Sequence, residues 1–105
     1  MAKRVIFAEV TPLGDRVLLT RDRWREILRY KHPALANHED EVRECVRDPD
    51  FVRASAKDQD THLYYRTVDL GYLCVVLGGD NPQQRFVITA YFTQSPKKGL
   101  NLWTK

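Results

Sequence analysis

The 105-residue chain predicts an α+β fold: two N-terminal helices packed on an antiparallel sheet, a three-stranded meander that short N-terminal strands can extend. Three observations carry this reading. Two capped segments with helical apolar spacing lie in the first half. Three strand-like runs divided by turn chemistry lie in the second. Helices and strands are segregated along the chain, which argues against an alternating α/β arrangement. The length suits a single domain spanning 1–105.

The elements follow in order. Val5-Ile6-Phe7-Ala8-Glu9-Val10 is a short β-branched apolar run, Thr11 to Asp15 is turn chemistry, and Val17-Leu18-Leu19 is a second short run. Together they predict a small hairpin or two extended pieces. Thr20 can cap a helix, and Trp24, Ile27 and Leu28 at i, i+3, i+4 give that helix one apolar face. Pro33 should end it near His32, so the first helix is expected over 20–32. Asn37 is the expected cap of a second helix, whose first turn holds Glu39, Asp40 and Glu41 and whose stripe is Val42, Cys45 and Val46. Phe51-Val52-Arg53 reads as a short extended piece. Strands are expected over Thr61 to Val68, Tyr72 to Leu77 and Arg85 to Thr93. The end of the chain can pin back onto the body through Leu102 and Trp103. The helices should cover one sheet face and leave the other partly free.

Side-chain alternation then assigns faces. Phe86, Ile88, Ala90 and Phe92 should meet the helices, with Thr89, Tyr91 and Thr93 opposite. Leu63 and Tyr65 should go inward, placing His62, Tyr64 and Arg66 on the same open surface as Thr89 and Tyr91. Lys97 and Lys98 follow the last strand and can hang over its end.

Composition narrows the chemistry. Cys45 and Cys74 have no CxxC spacing and no surrounding His/Cys cluster, so neither a disulfide framework nor a zinc site is expected. No apolar run approaches the roughly 18 residues of a membrane span, and the first residues lack a signal peptide's apolar region, so a cytoplasmic protein is expected. The net charge of +3 is zoned: +3 over residues 20–36, −4 over 37–60, and +3 again over 94–105. Two basic zones around an acidic one suit a polyanion ligand. The open sheet face holds no carboxylate pair and no acidic metal cluster, and the chain has no nucleophile elbow or phosphate-cradling glycine loop, so no cofactor and no metal is expected. Histidine, arginine, tyrosine and lysine on one face suit a metal-free phosphodiester reaction, in which an RNA 2′-hydroxyl attacks the adjacent phosphorus. Tyr64 or Tyr91 could stack an unpaired base. Each residue also has an ordinary reading: strand tyrosines pack, a lone His62 is exposed, Arg66 pairs with a carboxylate, and Lys97 and Lys98 solubilise a turn.

Three stretches carry a family likeness. They are Arg21 to Leu28 leading into Lys31-His32-Pro33; Val42 to Val52; and Tyr64-Tyr65-Arg66 followed by Val87 to Phe92 and Lys97-Lys98-Gly99. In this order they resemble the phage-associated nuclease-like domains of the barnase–EndoU–colicin–RelE superfamily over about residues 15–103. The resemblance implies a helix-then-sheet fold and a metal-independent RNase or toxin domain, derived from a phage or mobile element, with its site on an exposed sheet surface. It matches His32, Arg66, Thr89 and Tyr91 to the active pattern, and Lys97 and Lys98 more loosely. His62 rests on alternation alone. The implied partner is RNA, with room for a cognate inhibitor protein, no membrane, and a monomer or small homo-oligomer. The competing expectations are a non-catalytic RNA- or protein-binding module, or a homodimeric regulatory protein, using the same face.

Overall fold

The computed structural model describes residues 4–105. It corrects the expected architecture. The protein is mostly sheet: seven strands in the order β1-β2-β6-β5-β4-β3-β7, with two short α-helices. The strands are β1 (Val5–Val10), β2 (Arg16–Thr20), β3 (Phe51–Ser55), β4 (His62–Val68), β5 (Gly71–Gly78), β6 (Arg85–Thr93) and β7 (Gly99–Thr104); the helices are α1 (Arg21–Glu26) and α2 (Glu39–Arg47). The β4-β5-β6 meander exists, but it is only the middle of a wider sheet. On one side β6 is joined in parallel to the β1–β2 hairpin through Val17↔Arg85 and Leu18↔Phe86. On the other, β3 pairs antiparallel with β4, and β7 closes that edge against β3. The sheet is therefore mixed. Strands β2 and β7, of five and six residues, satisfy backbone groups by pairing with strands distant in sequence rather than across local turns alone.

The first helix is shorter than its apolar spacing suggests. Thr20 caps it as expected, its hydroxyl accepting from Arg23 N–H at 3.3 Å. After Glu26 the backbone widens into a π turn over Ile27–Lys31, closed by His32 N–H donating to Ile27 O at 2.8 Å. Pro33 pushes His32 out of helical geometry, to φ −142° and ψ 79°, and the turn ends there. The parallel pairing of β2 with β6 ends at Leu18↔Phe86, and two residues further along β6 Lys31 Nζ donates to Ile88 O at 3.2 Å. Asn37 does not cap α2. It takes a left-handed φ of 68°, which asparagine tolerates, and His38 stands at the N-cap without a side-chain cap bond.

Leu19, Ile27, Leu35, Val42, Val46, Leu73, Val75, Leu77 and Val87 form the main core between the sheet and the helices. The reverse face is not open. Leu63, Tyr65, Cys74 and Val76 are buried there in a second, smaller core edged by Phe51, Tyr72, Ile88 and Tyr91. The connection from β6 to β7, residues 94–98, has to pass β5, β4 and β3, and it does so over this face: Lys97 N–H donates to the Tyr65 hydroxyl at 2.9 Å.

Two alternation assignments change. Tyr64↔Val75↔Ala90 face the helices, whereas Tyr65↔Cys74↔Tyr91 line the reverse face. His62, Tyr64 and Arg66 thus lie opposite to Thr89 and Tyr91. A bulge in β6 changes the second set: the register passes from Val76↔Thr89 to Leu77↔Val87, leaving Ile88 extra and turning Val87 into the main core.

Candidate functional site

Three expected site residues are withdrawn from any common surface. His62 is buried at 9% exposure beside a buried ion pair. Arg85 Nε donates to Asp15 Oδ2 at 2.6 Å, and its Nη1 donates to Asp60 O at 2.7 Å and Gly79 O at 2.6 Å. Arg85 Nη2 also stands 3.4 Å from His62 Nε2. A guanidinium can only donate, so Nε2 accepts and the ring proton sits on Nδ1, 3.6 Å from Asp15 Oδ2. Burial and the Arg85 charge lower the His62 pKa, while Asp15 and Asp60 oppose them. His62 is a neutral structural histidine.

Tyr64 is fully buried in the main core. Its hydroxyl has no hydrogen-bond partner, and burial pushes its pKa up to about 12. Arg66 has the ordinary role of a pairing residue: Nη1 donates to Asp48 O at 2.6 Å and lies 3.5 Å from Asp48 Oδ2. Lys105 Nζ holds the same carboxylate at 3.0 Å, and Lys105 and then Arg66 keep Asp48 below the usual carboxylate range. None of these three reaches Tyr91, because β4 presents them to the opposite side of the sheet.

The remaining set does converge. The His32 ring centroid lies 5.5 Å from that of Tyr91, and Lys97 Nζ lies 5.5 Å from the same ring. The π turn places the histidine and the 94–98 connection places the lysine, so two elements far apart in sequence meet on one strand residue. Thr89 lies on the same face two positions upstream, its hydroxyl buried without a partner. Lys98 is exposed beside Lys97. The Tyr91 hydroxyl is also buried and unpartnered, with the Cys74 thiol and Tyr65 hydroxyl as its polar neighbours. Burial, then those neighbours, pushes the Tyr91 phenol far above its ordinary pKa. The same burial raises Tyr65 to about 12 and Cys74 to about 11. At neutral pH all three are uncharged, and the Lys97 ammonium brings positive charge to the Tyr91 ring.

Alternation did not find Tyr65, Arg53 or Lys31 at this site. Arg53 Nη1 donates to Lys97 O at 2.8 Å, and its guanidinium lies 5.0 Å from the Phe51 ring, which itself stacks on Tyr65 at 4.9 Å. The Tyr65 opposite Cys74 opposite Tyr91 register carries that signal once strand pairing is known. Lys31 has no local signal, because its role depends on the π turn. Among the described residues no cluster of three or more His, Cys, Asp or Glu is placed to hold a metal ion, and no helix is long and apolar enough to cross a membrane.

Two grooves lie elsewhere. One of about 730 Å³ is lined by His38, Glu41, Leu70, Tyr72 and Phe92 among others; one of about 880 Å³ is lined by Val10, Arg16, Leu18, Gln84 and Phe86 among others. The His32–Tyr91–Lys97 cluster belongs to neither and forms a half-buried surface at the β6 edge. No family model, no curated protein and no solved structure matches this chain.

Proposed function

We propose that this chain is an RNA-binding, metal-independent RNase-like domain acting at the His32–Tyr91–Lys97 cluster. The observation that carries the reading is the meeting of an imidazole and an ammonium group on one tyrosine ring, each at 5.5 Å. The resemblance to the barnase–EndoU–colicin–RelE superfamily supports it, and a toxin or mobile-element role in the cytoplasm, with a cognate inhibitor, is part of the same proposal.

The chemistry follows from the groups available. His32 accepts the proton of an RNA 2′-hydroxyl. O2′ bonds to the adjacent phosphorus and the bond from phosphorus to O5′ breaks. The imidazolium returns its proton to O5′, leaving a 2′,3′-cyclic phosphate and a 5′-hydroxyl. Lys97, with Lys98 beside it, faces the charge of the phosphorane. Tyr91 positions both groups through its ring; its buried hydroxyl does not meet the RNA. Thr89 packs below it.

A second reading, RNA binding without cleavage, is favoured by one observation: with His62, Arg66 and the Tyr91 hydroxyl withdrawn, His32 is the one imidazole left at the cluster. One experiment separates the two. Purified protein is incubated with tRNA and rRNA in EDTA, and ends and binding are both measured. Cleavage is expected to yield cyclic phosphate ends and to fall about 100-fold or more in His32→Ala, the scale of one acid–base group. Tyr91→Ala should lower it, and Tyr91→Phe, which keeps the ring, should recover most of it. Intact RNA with salt-dependent binding supports the second reading. Intact, unbound RNA rejects both.

A further inference from the structure

Tyr30 is 75% exposed, the most open aromatic ring among the described residues. The phenols that the sequence offered for stacking on a base are not accessible. Tyr64 is fully buried, and the Tyr91 ring is already taken by His32 and Lys97. Tyr30 differs from a chance exposed side chain in how it is held. It is the fourth residue of the π turn, a geometry that is rare and concentrated at functional sites. The turn is anchored on both sides of it: Ile27 is fully buried, and Lys31 is tied to Ile88 O. The backbone is thus fixed while the ring stands in solvent. Its charged neighbour is Arg29, whose guanidinium lies 5.7 Å from the ring centroid. Two residues further on is His32.

An aromatic face beside a guanidinium and a lysine, next to a group that handles a phosphodiester, is the chemical complement of an unpaired nucleotide. The base can stack on the ring, and its phosphate can reach the cations. A duplex keeps its bases stacked on one another and cannot offer that face. We infer that Tyr30 is the base-stacking platform of the site, so that the protein takes single-stranded RNA, with one unpaired base on Tyr30 and its neighbouring phosphate at His32 and Lys97. This rests on the RNA reading of the His32–Tyr91–Lys97 cluster.

The test uses the full chain and three probes of equal length, each 2′-O-methylated where it carries the 2′-oxygen so that nothing is cut: a single-stranded RNA, its duplex, and an abasic strand. Wild-type protein should prefer the single strand. Tyr30→Ala should weaken single-strand binding by about fivefold or more, the low end of one base–aromatic stack. It should leave binding of the abasic strand unchanged. Tyr30→Phe should recover most of the loss. In Tyr30→Trp, indole emission should be quenched by the single strand and not by the abasic one. Equal affinity of wild type and Tyr30→Ala for the single strand overturns the inference, and if Lys97→Ala still weakens binding the RNA reading survives without it. No binding of any probe by wild type removes the RNA reading, and the stacking role with it. A wild-type dimer that becomes a monomer in Tyr30→Ala makes the ring a contact between copies and overturns the inference as well. Because the ring packs on no core residue, these variants should melt with wild type.

Discussion

His62 has a role that its position in the sequence does not announce. Its ring closes a buried group in which Arg85 is neutralised by Asp15 and further held by the carbonyls of Asp60 and Gly79. Removing Asp15 would leave the guanidinium charge buried and unpaired, which is far costlier than losing the pair as a whole. The histidine adds a pH dependence. Its folded-state pKa is depressed, chiefly by burial and then by Arg85, so the unfolded chain takes up the proton first. The stability that neutral His62 contributes is complete above the unfolded value of about 6.5 and is lost as pH falls from there toward the folded value. Asp48 and Asp50 are depressed carboxylates, so their contribution is lost only below about 3.8. Thermal melts should therefore show two acid limbs. His62→Gln, compared with its own melting temperature at pH 7, should flatten the upper limb and spare the lower one. Parallel curves for wild type and variant between pH 7 and 5 would contradict this account of the cluster.

Among the elements, β7 is the least local, and it offers the sharpest check. It reaches β3 at the end of the 94–98 connection, and a Cβ at Gly99 would strike the Ala54 carbonyl oxygen across the pair. Gly99→Ala should lower stability by about 1–3 kcal/mol and expose Trp103, which packs on the main core behind β7. Chemical denaturation followed by tryptophan emission measures both; an unchanged midpoint with unshifted emission would mean that the pairing is looser than described. The same element shows why part of the fold was legible and part was not. Strands β4, β5 and β6 could be read because each is a run of seven to nine residues bounded by turn chemistry, and their partners are their neighbours. Strands β3 and β7 are five and six residues long and find each other across the whole meander, so nothing local marks their pairing. Alternation correctly grouped His62, Tyr64 and Arg66, and separately Thr89 and Tyr91, since period two is intrinsic to a strand. It could not say which group meets the helices, because register and coverage decide that. Hence Thr89 and Tyr91 stand with Lys97 on the reverse face, while the β4 trio went to the opposite side. Thr20 was a readable cap because its hydroxyl acts within one turn. The π turn that brings His32 to Tyr91 depends on Pro33 and on the β6 edge together.

At the scale of the molecule, the sheet is two units sharing β6. Five strands run antiparallel from β6 to β7, and the β1–β2 hairpin is joined to them by two parallel residue pairs. Strands β1 and β7 occupy opposite edges, so Val5 and Thr104 lie six inter-strand spacings of about 4.8 Å apart across the sheet. A mechanical consequence follows. Tension applied through handles beyond Val5 and Thr104 acts across the strands rather than along them. The edge pairs are then loaded one hydrogen bond at a time, starting at Val5↔Thr20 on one side and Phe51↔Thr104 on the other. The chain should open like a zip, at low force and in steps, with the two edge strands leaving before the meander. A single high-force rupture in an optical trap would show that the load is shared in shear instead.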